Sequence, residues 1–241
     1  MENLVINLKR QPEKFDHFLK LNSGSGIGFR RVDACDGAEV SEDEVIKMKV
    51  MAPDTKLTKG AIGCAVSHFR IWRQVVEKKE PVIVFEDDAV IRDDFTAVLS
   101  KLLPGLPGWD YIALGYNTDS ILDVEIARGL NTSLVFSPQY PTPEAQKNFV
   151  KSNSPVSAFR LNACFGTCGY AISPAGAKKL LKFCFPMDNR KITVEALKRT
   201  FPAFGIDCMM IDVYKSIEAF ACFSPLVLPK NERNISTTVR S

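Results

Sequence analysis

Histidine is nearly absent from this 241-residue chain, which has two, and no Cys-x-x-C pair occurs among its seven cysteines. A zinc-binding module is therefore not expected. Long apolar runs are missing as well: the longest, around Pro81–Phe85, stops at charged residues, far short of the roughly 20 residues of a membrane span. The opening Met1-Glu2-Asn3-Leu4 shows neither the basic segment nor the cleavage site of a secretory signal. A cytoplasmic protein, at most peripheral at a membrane, is the expectation. Its thiols then read as small buried apolar groups in a reducing compartment, and the sequons at Asn131 and Asn234 carry no weight. Nor is there an excess of one charge: 31 Lys+Arg against 28 Asp+Glu leaves +3, too little to imply a nucleic-acid partner. The locally basic Lys230–Arg240 reads as a solvated tail.

What is present is an ordinary globular composition, 46% apolar and 24% charged, in a chain long enough for a sizeable core. Strand-like and helix-like segments alternate, which predicts an α/β protein, read as a single domain over 1–241. Leu4–Leu8 is a short apolar strand and Gln11–Leu21 an amphipathic helix. Asn22–Gly28 is glycine-rich but leaves a helix for a strand, Phe29–Ala34, the reverse of a phosphate loop, so it predicts a helix stop and turn. Lys59–Lys78 has helical spacing with Thr58 as cap. Pro81–Phe85 has the β-branched run of a strand buried on both faces, and Trp109–Leu114 and Cys168–Ser173 read as further strands. Pro174 opens a helix over Ala175–Phe183, Asp207–Tyr214 reads as helical, and Ile217–Leu228 as a closing strand. Residues 118–159, rich in proline, and 186–205 read as irregular insertions.

Glu86-Asp87-Asp88 closes the buried strand, at the end where open α/β sheets bind ligands. Along extended chain Glu86 and Asp88 share a side and Asp87 faces away. Converging carboxylates repel unless a cation lies between them, and a hard ion such as Mg²⁺ or Mn²⁺ suits oxygen donors. The same acids could equally punctuate a strand or cap a helix. His68, in a mostly apolar helical row, reads first as a hydrogen-bonded core residue.

The run Lys56-Leu-Thr-Lys-Gly-Ala-Ile-Gly-Cys-Ala-Val-Ser-His68, then Trp72, then Val82-Ile-Val-Phe-Glu-Asp-Asp88, resembles the signature of glycosyltransferase family 25. Val5–Arg10, Arg31–Gly37, Trp109–Gly115, Gly166–Ala177, Asp207 and Ser224–Val227 agree in order. The resemblance implies a GT-A-like nucleotide-diphospho-sugar transferase fold, a mixed central sheet flanked by helices. It also implies a UDP-sugar donor, galactose or glucose as the hexose, inversion at the anomeric carbon and Mn²⁺ or Mg²⁺ as cofactor. The bacterial lipooligosaccharide enzymes and collagen galactosyltransferases of that family suggest a glycan acceptor, lipid-linked or not, or a protein-linked one. Carried over by position, Asp88 is the metal ligand. Glu86, Asp87, Asn7, Arg10, Ser67 and His68 line the donor site, and Asp207 and Glu86 are the catalytic candidates. The rival readings are a metal-dependent nucleotidyl- or phosphoryl-transferase and a non-catalytic sugar-nucleotide or glycan-binding relative.

Overall fold

The computed structural model describes residues 1–230; most of the basic tail, and Asn234, lie outside the described residues. The first half contains β1 (Glu2–Leu8), α1 (Pro12–Leu21), β2 (Arg30–Ala34), α2 (Glu42–Lys47), α3 (Lys59–Lys78), β3 (Val82–Glu86), β4 (Ala89–Ile91), α4 (Phe95–Leu102) and β5 (Tyr111–Gly115). The second contains β6 (Ile121–Ala127), β7 (Leu130–Val135), α5 (Pro143–Val150), β8 (Ser157–Cys164), β9 (Gly169–Ile172), α6 (Pro174–Cys184), β10 (Lys191–Val194), β11 (Arg199–Pro202), α7 (Ile206–Tyr214), β12 (Ala219–Phe223) and β13 (Val227–Pro229).

Eleven strands form one mixed sheet in the order β2-β1-β3-β9-β5-β12-β8-β6-β7, with β4 and β13 joined off its middle. β1 runs parallel to β2 and β3, while β9 returns antiparallel between β3 and β5. The β-branched run of β3 is buried on both faces, as its composition predicts. Val82 and Val84 join the core under α3, α6 and α7, and Ile83 and Phe85 join a second core with Phe18 of α1 and Phe95 of α4. Helices on both faces thus cover the sheet.

Helix α3 begins where Thr58 accepts the Ala61 N–H at 3.1 Å and ends at Lys79 in the left-handed region, φ 57°. Its first turns press onto the chain after β2. A Cβ on Gly63 would lie 2.5 Å from the Cys35 carbonyl oxygen and 2.7 Å from the Gly37 nitrogen. Backbone on both sides cannot give way cheaply. Gly63→Ala should therefore cost about 1–3 kcal/mol, a drop of about 3–10 °C in Tm readable by thermal denaturation. An unchanged Tm would show that this contact yields easily.

The structure corrects the sequence reading in three places. Residues 118–159 are not irregular: β6 and β7 form a hairpin that extends the sheet beyond β8, and α5 follows. The prolines that suggested a loop lie after β7, and Pro143 starts α5 behind the capping Thr142. Residues 186–205 hold the antiparallel pair β10–β11 around a short 3₁₀ turn at Glu195–Leu197. The closing strand is two strands, interrupted at Ser224–Leu226, so that β13 pairs with β4 and β5. Among the described residues no helix is long and apolar enough to cross a membrane.

Candidate functional site

β1 and β3 end side by side, with Ile6 opposite Glu86 in the ladder. Asn7 and the acidic run therefore leave the sheet at one edge. β9 enters beside them: the Glu86 N–H donates to the Cys168 carbonyl at 3.1 Å, which sets Thr167 against the Glu86 side chain. The Thr167 hydroxyl donates to Glu86 Oε1.

The three acids face different surroundings. Asp87 accepts from Asn7 Nδ2 at 2.7 Å, while Asn7 Oδ1 accepts from Arg31 Nε at 2.7 Å, so a buried asparagine ties the acid to an arginine. Glu86 and Asp88 are half-buried at the strand's mouth, with protein packed around their carboxyl groups. Burial, then the Asp88 charge, pushes Glu86 up to about 8, with Asp87 and Asp207 adding to the repulsion. Burial and Asp87 push Asp88 up to about 6 against the opposing pull of Lys14 and Lys230. Asp88 Oδ1 is shielded from solvent and accepts no hydrogen bond. An orphaned carboxylate oxygen among acids of raised pKa is a donor set that fits a hard divalent cation.

Asp207 lies in the first turn of α7. Its Oδ2 accepts the Gly166 N–H and its Oδ1 the Cys208 N–H, both at 2.9 Å. Gly166 has φ +83°, and a Cβ there would fall 2.2 Å from Asn117 Oδ1, so only glycine fits this turn. Gly166 and Thr167 thus connect Asp207 and Glu86 through two adjacent residues.

His68 Nδ1 lies 2.8 Å from the Tyr170 hydroxyl, which also accepts from Trp72 Nε1 at 3.0 Å. Indole only donates, so the Tyr170 oxygen accepts from Trp72 and keeps both its proton and a second lone pair for the contact with His68 Nδ1. Burial pushes His68 down to about 4, so the ring is neutral near pH 7. One donor atom each from Cys64, His68 and Glu86 cluster within 4.8 Å. These are three donors where a structural zinc site has four.

The residues expected at the site are not all brought together. Glu86, Asp88, Asp207 and His68 converge, and Asn7 joins through Asp87. Arg10 lies exposed and pairs with Asp36. The Ser67 hydroxyl donates to the Gly63 carbonyl at 2.7 Å and accepts the Cys35 N–H at 2.9 Å, which makes it a tie between α3 and the end of β2. Sequence reasoning missed Thr167, Gly166 and Tyr170 as site residues, although all three stand in the segment Gly166–Ala177 that carried the resemblance.

A family model described as glycosyltransferase family 25 (LPS biosynthesis protein) matches residues 1–195, which contain every site residue above except Asp207. Procollagen galactosyltransferase 1-A of Xenopus laevis is 30% identical over 193 residues, covering 75% of this chain and 28% of that protein. Procollagen galactosyltransferase 2 of Mus musculus is 26% identical over 193 residues, with 75% and 27% covered. The inactive glycosyltransferase 25 family member 3 of Homo sapiens is 33% identical over 127 residues, with 47% and 21% covered. The chain thus spans less than a third of the length of these relatives.

Proposed function

The chain belongs to glycosyltransferase family 25, and from that premise we propose that it is an inverting hexosyltransferase. It moves galactose or glucose from a UDP-sugar to a hydroxyl of a glycan, lipid-linked or free, or of a protein-linked acceptor. The observation that carries this reading is the pair Glu86 and Asp88 at the end of β3, poorly solvated and mutually repelling, with Asp88 Oδ1 unpartnered.

A Mn²⁺ or Mg²⁺ held by Asp88 would supply positive charge to the donor diphosphate. Asp87, fixed by Asn7, closes the β1 side of the donor site. Asp207, held by two backbone N–H groups, is the carboxylate placed to take the proton from the acceptor hydroxyl, and Glu86, held by Thr167, can share that role only in its ionised form. The acceptor oxygen forms its bond to the anomeric carbon as the bond to the UDP oxygen breaks, so the configuration inverts. His68, neutral and braced by Tyr170, forms part of the wall beside Glu86.

The test is UDP release from a panel of UDP-sugars with Mn²⁺, Mg²⁺ or EDTA, in wild type and Asp207→Asn. Metal-dependent release of UDP from one donor is expected in wild type. Asp207→Asn should lower it by about 10²–10⁴-fold, the range of a lost general base, with UDP affinity within about twofold. Full turnover in Asp207→Asn would leave Glu86 as the base, and absence of both UDP binding and turnover in wild type would remove the transferase reading.

A further inference from the structure

A strip of three phenylalanine rings runs from beside the acidic site out to solvent. The Phe165 ring, 8% exposed, lies 6.0 Å from the Phe201 ring at an interplanar angle of 34°. Phe201, on β11, lies 5.8 Å from Phe204 at 35°, and Phe204 is 58% exposed. The three rings thus follow one another from the interior to solvent, each tilted against the next.

Both ends of the strip are anchored to the acidic site. At the inner end, Phe165 is followed by Gly166 and Thr167, whose N–H and hydroxyl hold Asp207 and Glu86. At the outer end, Phe204 precedes Gly205, and the Asp207 carboxylate leans over that glycine. A Cβ on Gly205 would lie 2.7 Å from Asp207 Oδ1. An exposed phenylalanine ring, backed by a second ring and one residue before the glycine that the carboxylate overhangs, offers an apolar face with a hydrogen-bond acceptor on the same short segment. A pyranose ring has the matching anatomy, with C–H groups on its face and hydroxyls around its rim.

Building on the transferase reading, we propose that Phe204, backed by Phe201, is the stacking platform for a pyranose ring of a glycan acceptor, the ring's hydroxyl rim turned toward Asp207. The platform makes Phe204 an acceptor-specificity residue that plays no part in holding the donor. A peptide acceptor lacks such a ring and gains no comparable contact from the platform.

The experiment uses the full chain with UDP and Mn²⁺, and methyl β-D-galactopyranoside, methyl β-D-glucopyranoside and lactose as probes. UDP affinity is measured by calorimetry and sugar contact by saturation-transfer NMR, in wild type, Phe204→Ala, Phe204→Leu and Phe204→Trp. At least one sugar should show saturation on its ring-face protons in wild type. That signal should fall at least fivefold in both Phe204→Ala and Phe204→Leu and persist in Phe204→Trp, with UDP affinity within twofold and Tm unchanged throughout. Loss in Phe204→Leu separates stacking on an aromatic face from simple apolar contact. Equal sugar binding in wild type and Phe204→Ala would overturn the proposal. So would UDP binding without contact to any of the three sugars, or a hydroxylysine peptide that alone depends on Phe204. Failure of wild type to bind UDP at all would instead strike the transferase reading, and this proposal with it.

Discussion

Glu86→Gln should make the metal-free protein more stable while removing most of its turnover. Glu86 is crowded by Asp88, Asp87 and Asp207 and sits beside the Cys64 thiol, and its carboxyl is poorly solvated. Its folded pKa of about 8 lies above the ordinary 4.5. Between those values the folded chain holds a proton that the unfolded chain has released, so wild-type stability falls as pH rises through that window. Glutamine has the same shape, can still accept from Thr167 and never ionises. The gain in Tm of Glu86→Gln over wild type should be small near pH 5 and largest near pH 8. There it should reach about 1–3 kcal/mol, or about 3–10 °C. Turnover should drop by about 10²-fold or more, because glutamine can neither ionise beside a bound cation nor exchange a proton. Thermal melts in EDTA at pH 5, 6.5 and 8, with UDP release alongside, read both effects. A variant no more stable than wild type at pH 8 would show that Glu86 is not held against its own ionisation.

The part of the fold legible in the sequence is the part whose residues answer to local rules. β3 was readable because a β-branched run ended in acids, and α3 because its apolar spacing followed a capping threonine. The β6–β7 hairpin was not. β7 is a sheet edge that turns Thr132 and Leu134 inward while Leu130 and Val135 stay exposed, so its apolar residues do not mark one face. The short β4 exists only because β13 returns to pair with it. The site divides in the same way. Three consecutive acids advertise themselves in any reading of the chain. Thr167 and Gly166 do not, since their roles come from β9 returning antiparallel to β3, which places a hydroxyl on a carboxylate 81 residues away. Arg10 and Ser67 show the other side of reading by position. Each stands in a matching segment, yet Arg10 is taken up by Asp36 and Ser67 by backbone partners.

Divalent cations should stabilise the wild-type protein, and Asp88→Asn should remove that response entirely. Asp88 carries the shielded, unpartnered oxygen of the acidic run, and its raised pKa reflects burial and the neighbouring Asp87 charge. A cation bound there satisfies the oxygen and offsets the repulsion at once. It binds the folded chain alone, so at a hundred times its dissociation constant it adds about 2.7 kcal/mol, a rise of about 5–10 °C in Tm. Without metal, Asp88→Asn should melt no lower than wild type, because it deletes a charge that the fold holds at a cost. With metal the order reverses, since only wild type gains. Turnover of the variant should be lost by about 10²–10³-fold, the scale on which charge stabilisation of a leaving group acts. Melts across a Mn²⁺ and Mg²⁺ titration, with UDP release in the same samples, test the crossing directly. A wild type whose Tm ignores both ions at millimolar concentration, yet which releases UDP in EDTA, would mean that Lys14 and Lys230 supply the charge this site needs. The acids would then act on the sugar and not on the diphosphate.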